Sequence, residues 1–365
     1  MTVIMLIAGL ALLILGADIL VRGAARIATA AGITPLIVGL TVVAFGTSSP
    51  ELAVSINSAL SGAPDVAVGS AVGSNIFNVL FILGISAIIT PLLVASQLIR
   101  LDVPIMIAVS VLVLLLGLDG ALGLVDGIVL SAGLLGYILF LFFHNKREQS
   151  SNAHPAAPPT TEYRWTHWLR DVLFVLGGLA LLVLGSHWMV NASISIARAL
   201  GLSELVIGLT IVAAGTSLPE VATSIMAAVK GERDIAVGNI VGSNIFNLLA
   251  VLGISAAVSP AGLPVSPDAL SFSIPVMIGA ALLCLPIFFT GRVIARWEGA
   301  LMLSYFVAYT WYLLLDSAGG PLRDIMLYYI IPATALLLLS LTLRSWMMDR
   351  RAALSPAGRK IGSTD

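Results

Sequence analysis

The stretch AFGTSSPELAVS, residues 44–55, places a proline, several hydroxyls and a carboxylate inside an apolar segment, and AAGTSLPEVATS at residues 213–224 repeats it. Proline has no amide hydrogen, and its ring clashes with the carbonyl four residues earlier. Pro50 and Pro219 therefore each predict a kinked or broken helix. Where such a helix crosses a membrane, the freed backbone carbonyls need a partner other than lipid, and a cation can be that partner.

The composition predicts an all-α polytopic membrane protein. Of 365 residues, 59% are hydrophobic and only 10% are charged, and the mean hydropathy is +1.05. A soluble domain with this composition would expose large apolar patches, so the lipid bilayer is the expected partner. The net charge of -1 argues against nucleic acid. The single cysteine, Cys284, lies in an apolar run and offers neither a disulfide nor a cysteine metal cage.

Apolar runs long enough to cross about 30 Å of hydrocarbon divide the chain into eleven candidate helices. They are predicted at residues 3–25, 33–60, 66–90, 98–118, 124–143, 168–198, 203–229, 235–259, 269–290, 297–315 and 325–343. The predicted organisation is a five-helix repeat at 1–143, a polar, Pro-rich loop at 144–167, a second five-helix repeat at 168–316, and an extra helix with a basic tail at 317–365.

The lysines and arginines predict the orientation, because short cytoplasmic loops hold the excess of positive charge. With the N-terminus outside, all of the 18 except Arg198 and Arg323 fall on the cytoplasmic side. The central loop and the C-terminus are then cytoplasmic, in a cell (inner or plasma) membrane. Asp18 and Arg22 form an i, i+4 pair near the cytoplasmic end of the first helix and are interpreted as an interfacial anchor.

The chain also aligns with itself at an offset of 169 residues. Residues 39–60 match 208–229 at 14 of 22 positions, and residues 65–86 match 234–255 at 16 of 22. Because each half has an odd number of spans, the second copy enters the membrane in the opposite orientation. Inverted repeats are a transporter architecture, with binding expected near the midplane where interrupted helices meet.

The duplicated motifs supply an all-oxygen donor set with two carboxylates. In the first copy, Thr47 and Ser48 lie four and three residues before Glu51 and so share its helical face. The second copy repeats the arrangement, and the partner helices add two i, i+4 pairs of a hydroxyl and an amide. These further residues are Thr216, Ser217, Glu220, Ser74, Asn78, Ser243 and Asn247. Hard cations such as Ca2+ and Na+ take such ligands, and a mid-membrane glutamate indicates function by default.

GTSSPE with GTSLPE, and GSAVGSNIFN with GNIVGSNIFN, resemble the two repeats of the calcium/cation antiporter superfamily, particularly its sodium/calcium exchangers. The resemblance covers roughly residues 3–315. It implies that Glu51 and Glu220 are central carboxylates shared by Ca2+ and Na+, and that the first and sixth helices slide across the core. It further implies hydroxyl or backbone oxygens from the Thr and Ser residues above, completion of the centre by Asn78 and Asn247, and backbone carbonyls at outer Na+ sites from Ala44 and Ala213.

The resulting hypothesis is a secondary antiporter that exchanges Na+ for Ca2+ by alternating access. Ca2+ and Na+ are transported substrates, and no cofactor is expected. A proton-driven calcium exchanger of the same superfamily is the alternative, and a cation channel is the alternative of a different class. The sequence shows no Ser/His dyad, HExxH motif or aspartate-rich diphosphate site, so an enzyme is not expected. A single chain is expected to suffice for transport, with association into oligomers left open.

Overall fold

The computed structural model describes residues 2–61, 64–151, 165–199, 213–289 and 291–318. Its longer helices in chain order are α1 (Thr2–Ala31), α2 (Pro35–Thr47), α3 (Ser49–Leu60), α4 (Val66–Ile89), α5 (Leu98–Asp119), α6 (Leu124–Ser151), α7 (Trp165–Ala199), α8 (Leu218–Val229), α9 (Arg233–Val258), α10 (Ala269–Phe289) and α11 (Arg296–Ala318). Four two-residue strands join them, namely β1 (Leu92–Leu93), β2 (Ala121–Leu122), β3 (Leu263–Pro264) and β4 (Val293–Ile294).

Seven of the described helices are long and apolar enough to cross a membrane, or eight if the bent pair α2 and α3 is one span. The chain is therefore a predominantly helical multi-pass membrane protein, as the composition predicts. The eleventh candidate helix at 325–343 and the first part of the seventh, 203–212, lie outside the described residues.

Helix boundaries differ from the prediction at the central loop. The structure continues α6 to Ser151, whereas the loop was predicted to begin at 144, and α7 begins at Trp165 rather than 168. Hydropathy marks where a helix leaves the lipid rather than where it ends. Lys146, Arg147, Glu148 and Gln149 are good helix formers and carry α6 onward beyond its apolar part.

The small sheets reveal how the two halves interlock. β1 pairs antiparallel with β4, and β2 pairs antiparallel with β3. β1 and β3 follow equivalent helices of the two repeats, and β2 and β4 precede equivalent helices. A twofold operation that exchanges the repeats therefore exchanges the two sheets, each of which joins one segment from each half. This is the arrangement of two inverted five-helix repeats.

The centre of the fold is formed by α4 and α9, which carry the duplicated SNIFN motif. The most apolar window is 67% buried in α4 and 89% buried in α9, against 28% in both α1 and α7. In each repeat the last helix packs across the centre, since α6 contacts α9 and α11 contacts α4. The two central helices are thus enclosed by protein and can carry polar groups.

Helices α1 and α7 form a long pair at the periphery, held by reciprocal glycine contacts. Gly9 packs on Gly185, and Gly16 packs on Gly178. A Cβ built on Gly9 would lie 2.8 Å from the carbonyl oxygen of Gly185, and one built on Gly178 would lie 2.8 Å from that of Gly16. The backbones therefore touch directly, as small residues allow between membrane helices.

This contact predicts a difference between two neighbouring glycines of α7. Gly178→Ala places a methyl group 2.7 Å from the amide nitrogen of Leu20, whereas a Cβ on Gly177 meets nothing within 4 Å. We expect Gly178→Ala to lower the thermal unfolding midpoint in detergent by several degrees, because overpacking costs about 1–3 kcal/mol. Gly177→Ala is the matched control and leaves the midpoint unchanged or slightly raised. Equal midpoints for the two variants would contradict the close contact.

Candidate ion-binding site

The two duplicated motifs form breaks between helices, as their prolines predict. Ser48 separates α2 from α3 with φ −82° and ψ 3°, and the two helices bend by 43°. Ser217 occupies the equivalent break before α8 with φ −87° and ψ 6°. Glu51 and Glu220 follow in the first turns of α3 and α8, where the partial positive charge of a helix N-terminus favours a carboxylate.

Both carboxylates are buried and are bound crosswise between the repeats. Glu51 and Glu220 are each 1% exposed. Ser48 donates to Oε1 of Glu220 at 3.0 Å, and Ser217 donates to Oε1 of Glu51 at 3.1 Å. The hydroxyl of Ser74 lies 3.2 Å from that of Ser217. Each carboxylate is therefore positioned by a serine of the other repeat.

This pairing corrects one detail of the sequence interpretation, which placed Ser48 on the same face as Glu51. Helical spacing does not hold at Ser48, because its backbone lies at the break, outside regular helix geometry. The side chain consequently points across the twofold axis to Glu220 rather than along its own helix.

The central asparagines are oriented by a second pair of crosswise bonds. Asn78 donates through Nδ2 to Oδ1 of Asn244 at 3.0 Å, and Asn247 donates through Nδ2 to Oδ1 of Asn75 at 3.1 Å. Each of the four is at most 2% exposed. Asn75 and Asn244 are not among the predicted ligands, although both belong to the repeated SNIFN motif, which was the available signal.

Five oxygen atoms of the predicted ligands are buried without a hydrogen-bond partner. They are Oε2 of Glu51, Oε2 of Glu220, Oδ1 of Asn78, Oδ1 of Asn247 and Oγ of Ser243. Native proteins rarely leave buried polar atoms unsatisfied, because each costs about 1–3 kcal/mol. The amide nitrogens of Asn78 and Asn247 already donate to the other two asparagines. The atoms left without a partner on the two carboxylates and two amides are therefore acceptor oxygens. Such oxygens satisfy a hard cation.

The remaining predicted ligands are Thr47, Ala44, Thr216 and Ala213, and their environments differ. The hydroxyl of Thr47 lies 3.1 Å from Oδ1 of Asn239, so this threonine faces α9. The carbonyl of Ala44 accepts from the amide of Ser48 at 3.0 Å and thus keeps a helical bond. Thr216 is partly buried in the turn before α8, and Ala213 begins a short helical turn there.

The predicted ligands are two carboxyl groups together with neutral amide, hydroxyl and carbonyl oxygens. Within the described part of the chain, no lysine or arginine forms an ion pair with Glu51 or Glu220. The same residues contain no group of three or more His, Cys, Asp or Glu side chains placed to hold a metal. Two carboxylates with amide and hydroxyl oxygens suit Ca2+ or Na+ and do not suit a thiophilic metal.

Inverted repeats with broken helices that carry buried oxygen groups are typical of secondary transporters. Comparison with known proteins places the chain within that class. Residues 1–143 and 171–315 match the family model described as sodium/calcium exchanger protein, and the chain belongs to this family.

Three relatives illustrate the similarity. The chain is 32% identical over 339 residues to the sodium/calcium exchanger MaX1 of Methanosarcina acetivorans, covering 84% of this chain and 96% of that protein. It is 39% identical over 288 residues to the inner membrane protein YrbG of Escherichia coli, covering 77% and 87%. A solved structure of the sodium-calcium exchanger NCX_Mj, soaked with zero Na+ and Ca2+, superimposes with a TM-score of 0.73 at 29% identity, covering 84% and 96%. The exchanger fold predicted from the duplicated motifs is confirmed.

Proposed function

We propose that this protein exchanges Na+ for Ca2+ across the membrane at the site formed by Glu51 and Glu220. The observation that carries the proposal is the set of unpartnered oxygens on these two carboxylates and on Asn78 and Asn247. Four buried acceptor atoms from both repeats call for a cation, and the pair of negative charges matches one Ca2+. The names of MaX1 and NCX_Mj support Na+ as the second substrate.

Coupling follows from the charge of the site. One Ca2+ neutralises two carboxylates, so Na+ ions and Ca2+ do not occupy the centre together. Without either substrate, two buried glutamates would carry uncompensated charge while the site closes, which costs several kcal/mol. Closure therefore requires a full load of one substrate or the other. This mutual exclusion converts a Na+ gradient into Ca2+ movement.

Charge movement depends on the exchange ratio, for which the family resemblance suggests three Na+ to one Ca2+. That ratio moves one net charge per cycle, worth about 2.3 kcal/mol per 100 mV. We also propose that the end of the bundle where Asp18 and Lys230 lie faces the cytoplasm, as the distribution of lysine and arginine predicts.

The test is Ca2+ uptake into proteoliposomes that hold the purified protein. Vesicles loaded with Na+ and diluted into Na+-free buffer are expected to accumulate Ca2+ in proportion to the Na+ gradient, with pH equal on both sides. Uptake driven by a pH gradient alone would overturn Na+ coupling in favour of the proton-driven alternative. Flux that follows the Ca2+ gradient with no dependence on either counter-ion would indicate a channel.

A further inference from the structure

Among the described residues, an ion pair between Asp18 and Lys230 joins the α1–α7 pair to the core. The ammonium of Lys230, the residue that follows α8, contacts Oδ1 of Asp18 on α1 and donates to the backbone oxygen of Asp18 at 3.0 Å. Arg22 contacts Oδ2 of the same carboxylate at 2.9 Å from within α1. The side chains of Asp18 and Lys230 are only 23% and 21% exposed. Both side chains of the pair are therefore partly buried.

The twofold relation shows that this contact has no counterpart at the other end. At the offset of 169 residues, Asp18 corresponds to His187 and Lys230 corresponds to Ser61. His187 bonds to Asn191 within its own helix at 2.9 Å. Helix α1 packs along α8, whereas among the described residues α7 has no comparable packing against α3. The ion pair is therefore a feature of one face only.

A cavity between α7 and the start of α8 is a second difference between the two repeats. It has a volume of about 170 Å³ and is lined by Met189, Val190, Ser193, Ala214, Gly215 and Leu218. The residues equivalent to Met189, Val190 and Ser193 are Leu20, Val21 and Ala24, all 0% exposed. Among the described residues, Ser193 therefore borders a cavity, whereas its equivalent Ala24 is fully buried. Because α1 and α7 run antiparallel, these positions lie toward opposite ends of the pair.

Exchanging the conformations of the two repeats gives the alternative state. In that state α1 would lose its packing along α8, because the equivalent pair α7 and α3 is not packed in this way now in the described part of the chain. Lys230 would then be separated from Asp18. The ion pair would be broken, and the equivalent positions at the other face, a histidine and a serine, would not replace it.

We propose that Asp18 and Lys230 form a one-sided latch that favours the conformation closed at their face over the alternative closed at the other. The inference rests on the alternation between two faces in the proposed function. Arg26 and Asp171, 3.4 Å apart, instead join α1 to α7 and move with that pair, so they do not contribute to the bias.

The experiment measures the accessibility of both faces by thiol labelling. Cys284 is buried and is first replaced (Cys284→Ala), and single cysteines are then introduced as Ala24→Cys or Ser193→Cys. With Lys230→Gln, we expect the maleimide labelling rate at position 24 to rise about threefold to fivefold and the rate at position 193 to fall. Asp18→Asn, which removes the same pair from the other side, gives the same two changes.

Two controls separate a latch from a general loss of packing. Lys230→Arg keeps the charge and is expected to retain the original rates, and Arg22→Gln removes only a contact within α1 and leaves both rates unchanged. If Lys230→Gln raised the labelling rates at positions 24 and 193 together, or changed neither rate, the latch would be overturned. Labelling is carried out at saturating Na+, which permits closure without net ion flux, so failure of Na+-driven Ca2+ uptake would overturn the proposed function without affecting this result.

Discussion

Glu51→Gln and Glu220→Gln each reduce Na+-driven Ca2+ uptake by roughly a hundredfold or more. Glutamine keeps the size of the side chain and can still accept the bond from the serine of the opposite repeat, but it removes one of two negative charges. A Ca2+ ion in the altered site is buried with a net positive charge, and breaking a buried charge pair costs about 3–5 kcal/mol. The measurement is the initial rate of Ca2+ uptake into Na+-loaded proteoliposomes at equal protein content.

Glu298→Gln is the matched control for these two variants. Glu298 is also a glutamate with 1% exposure, and it accepts from the amide of Ala295 at 2.7 Å at the start of α11. A glutamine can accept the same bond, so near-normal uptake is expected. Uptake that survives in both site variants, or that falls equally in all three, would show that the central carboxylates do not carry the ions.

Asn78→Leu lowers the apparent Ca2+ affinity by about tenfold to a hundredfold, the second-largest effect that the site predicts. The substitution removes the unpartnered Oδ1 atom, and it also leaves Oδ1 of Asn244 without its donor. Leucine has a similar volume, so the packing between α4 and α9 is largely retained. The half-saturating Ca2+ concentration for exchange is the quantity to measure.

Asn57→Leu provides the comparison for this prediction, because Asn57 is an exposed residue of α3. The same chemical change there is expected to leave the half-saturating concentration unchanged. If Asn78→Leu also left it unchanged, Oδ1 of Asn78 would not be a ligand.

Much of the fold could be predicted from the sequence because the two repeats keep the same residues at the Pro-Glu and SNIFN motifs. The two Pro-Glu motifs predict both helix breaks, and the odd number of spans per repeat predicts their inversion. The crosswise sheets and the reciprocal contacts of Gly9 with Gly185 then follow from the twofold relation. Only the helix breaks and the inversion, and not the sheets or the glycine contacts, were predicted from residue order.

The detailed contacts depend on how the two repeats pack, and spacing along one helix does not determine that. Ser48 was assigned to the face of Glu51 but bonds to Glu220, because its backbone lies at the break. The hydroxyl of Thr47 is directed to Asn239, whose equivalent in the first repeat is Ser70. No periodic pattern marks a partner supplied by the other repeat.

The most direct test of the central claim is equilibrium binding of Ca2+ to the purified protein in the presence of increasing Na+. One site shared by both substrates predicts one centrally bound Ca2+ per chain, its displacement by Na+ with a Hill coefficient above one, and loss of this Ca2+ in Glu51→Gln and Glu220→Gln. Ca2+ binding that is indifferent to Na+, or that persists in both variants, would contradict a shared site between the two repeats.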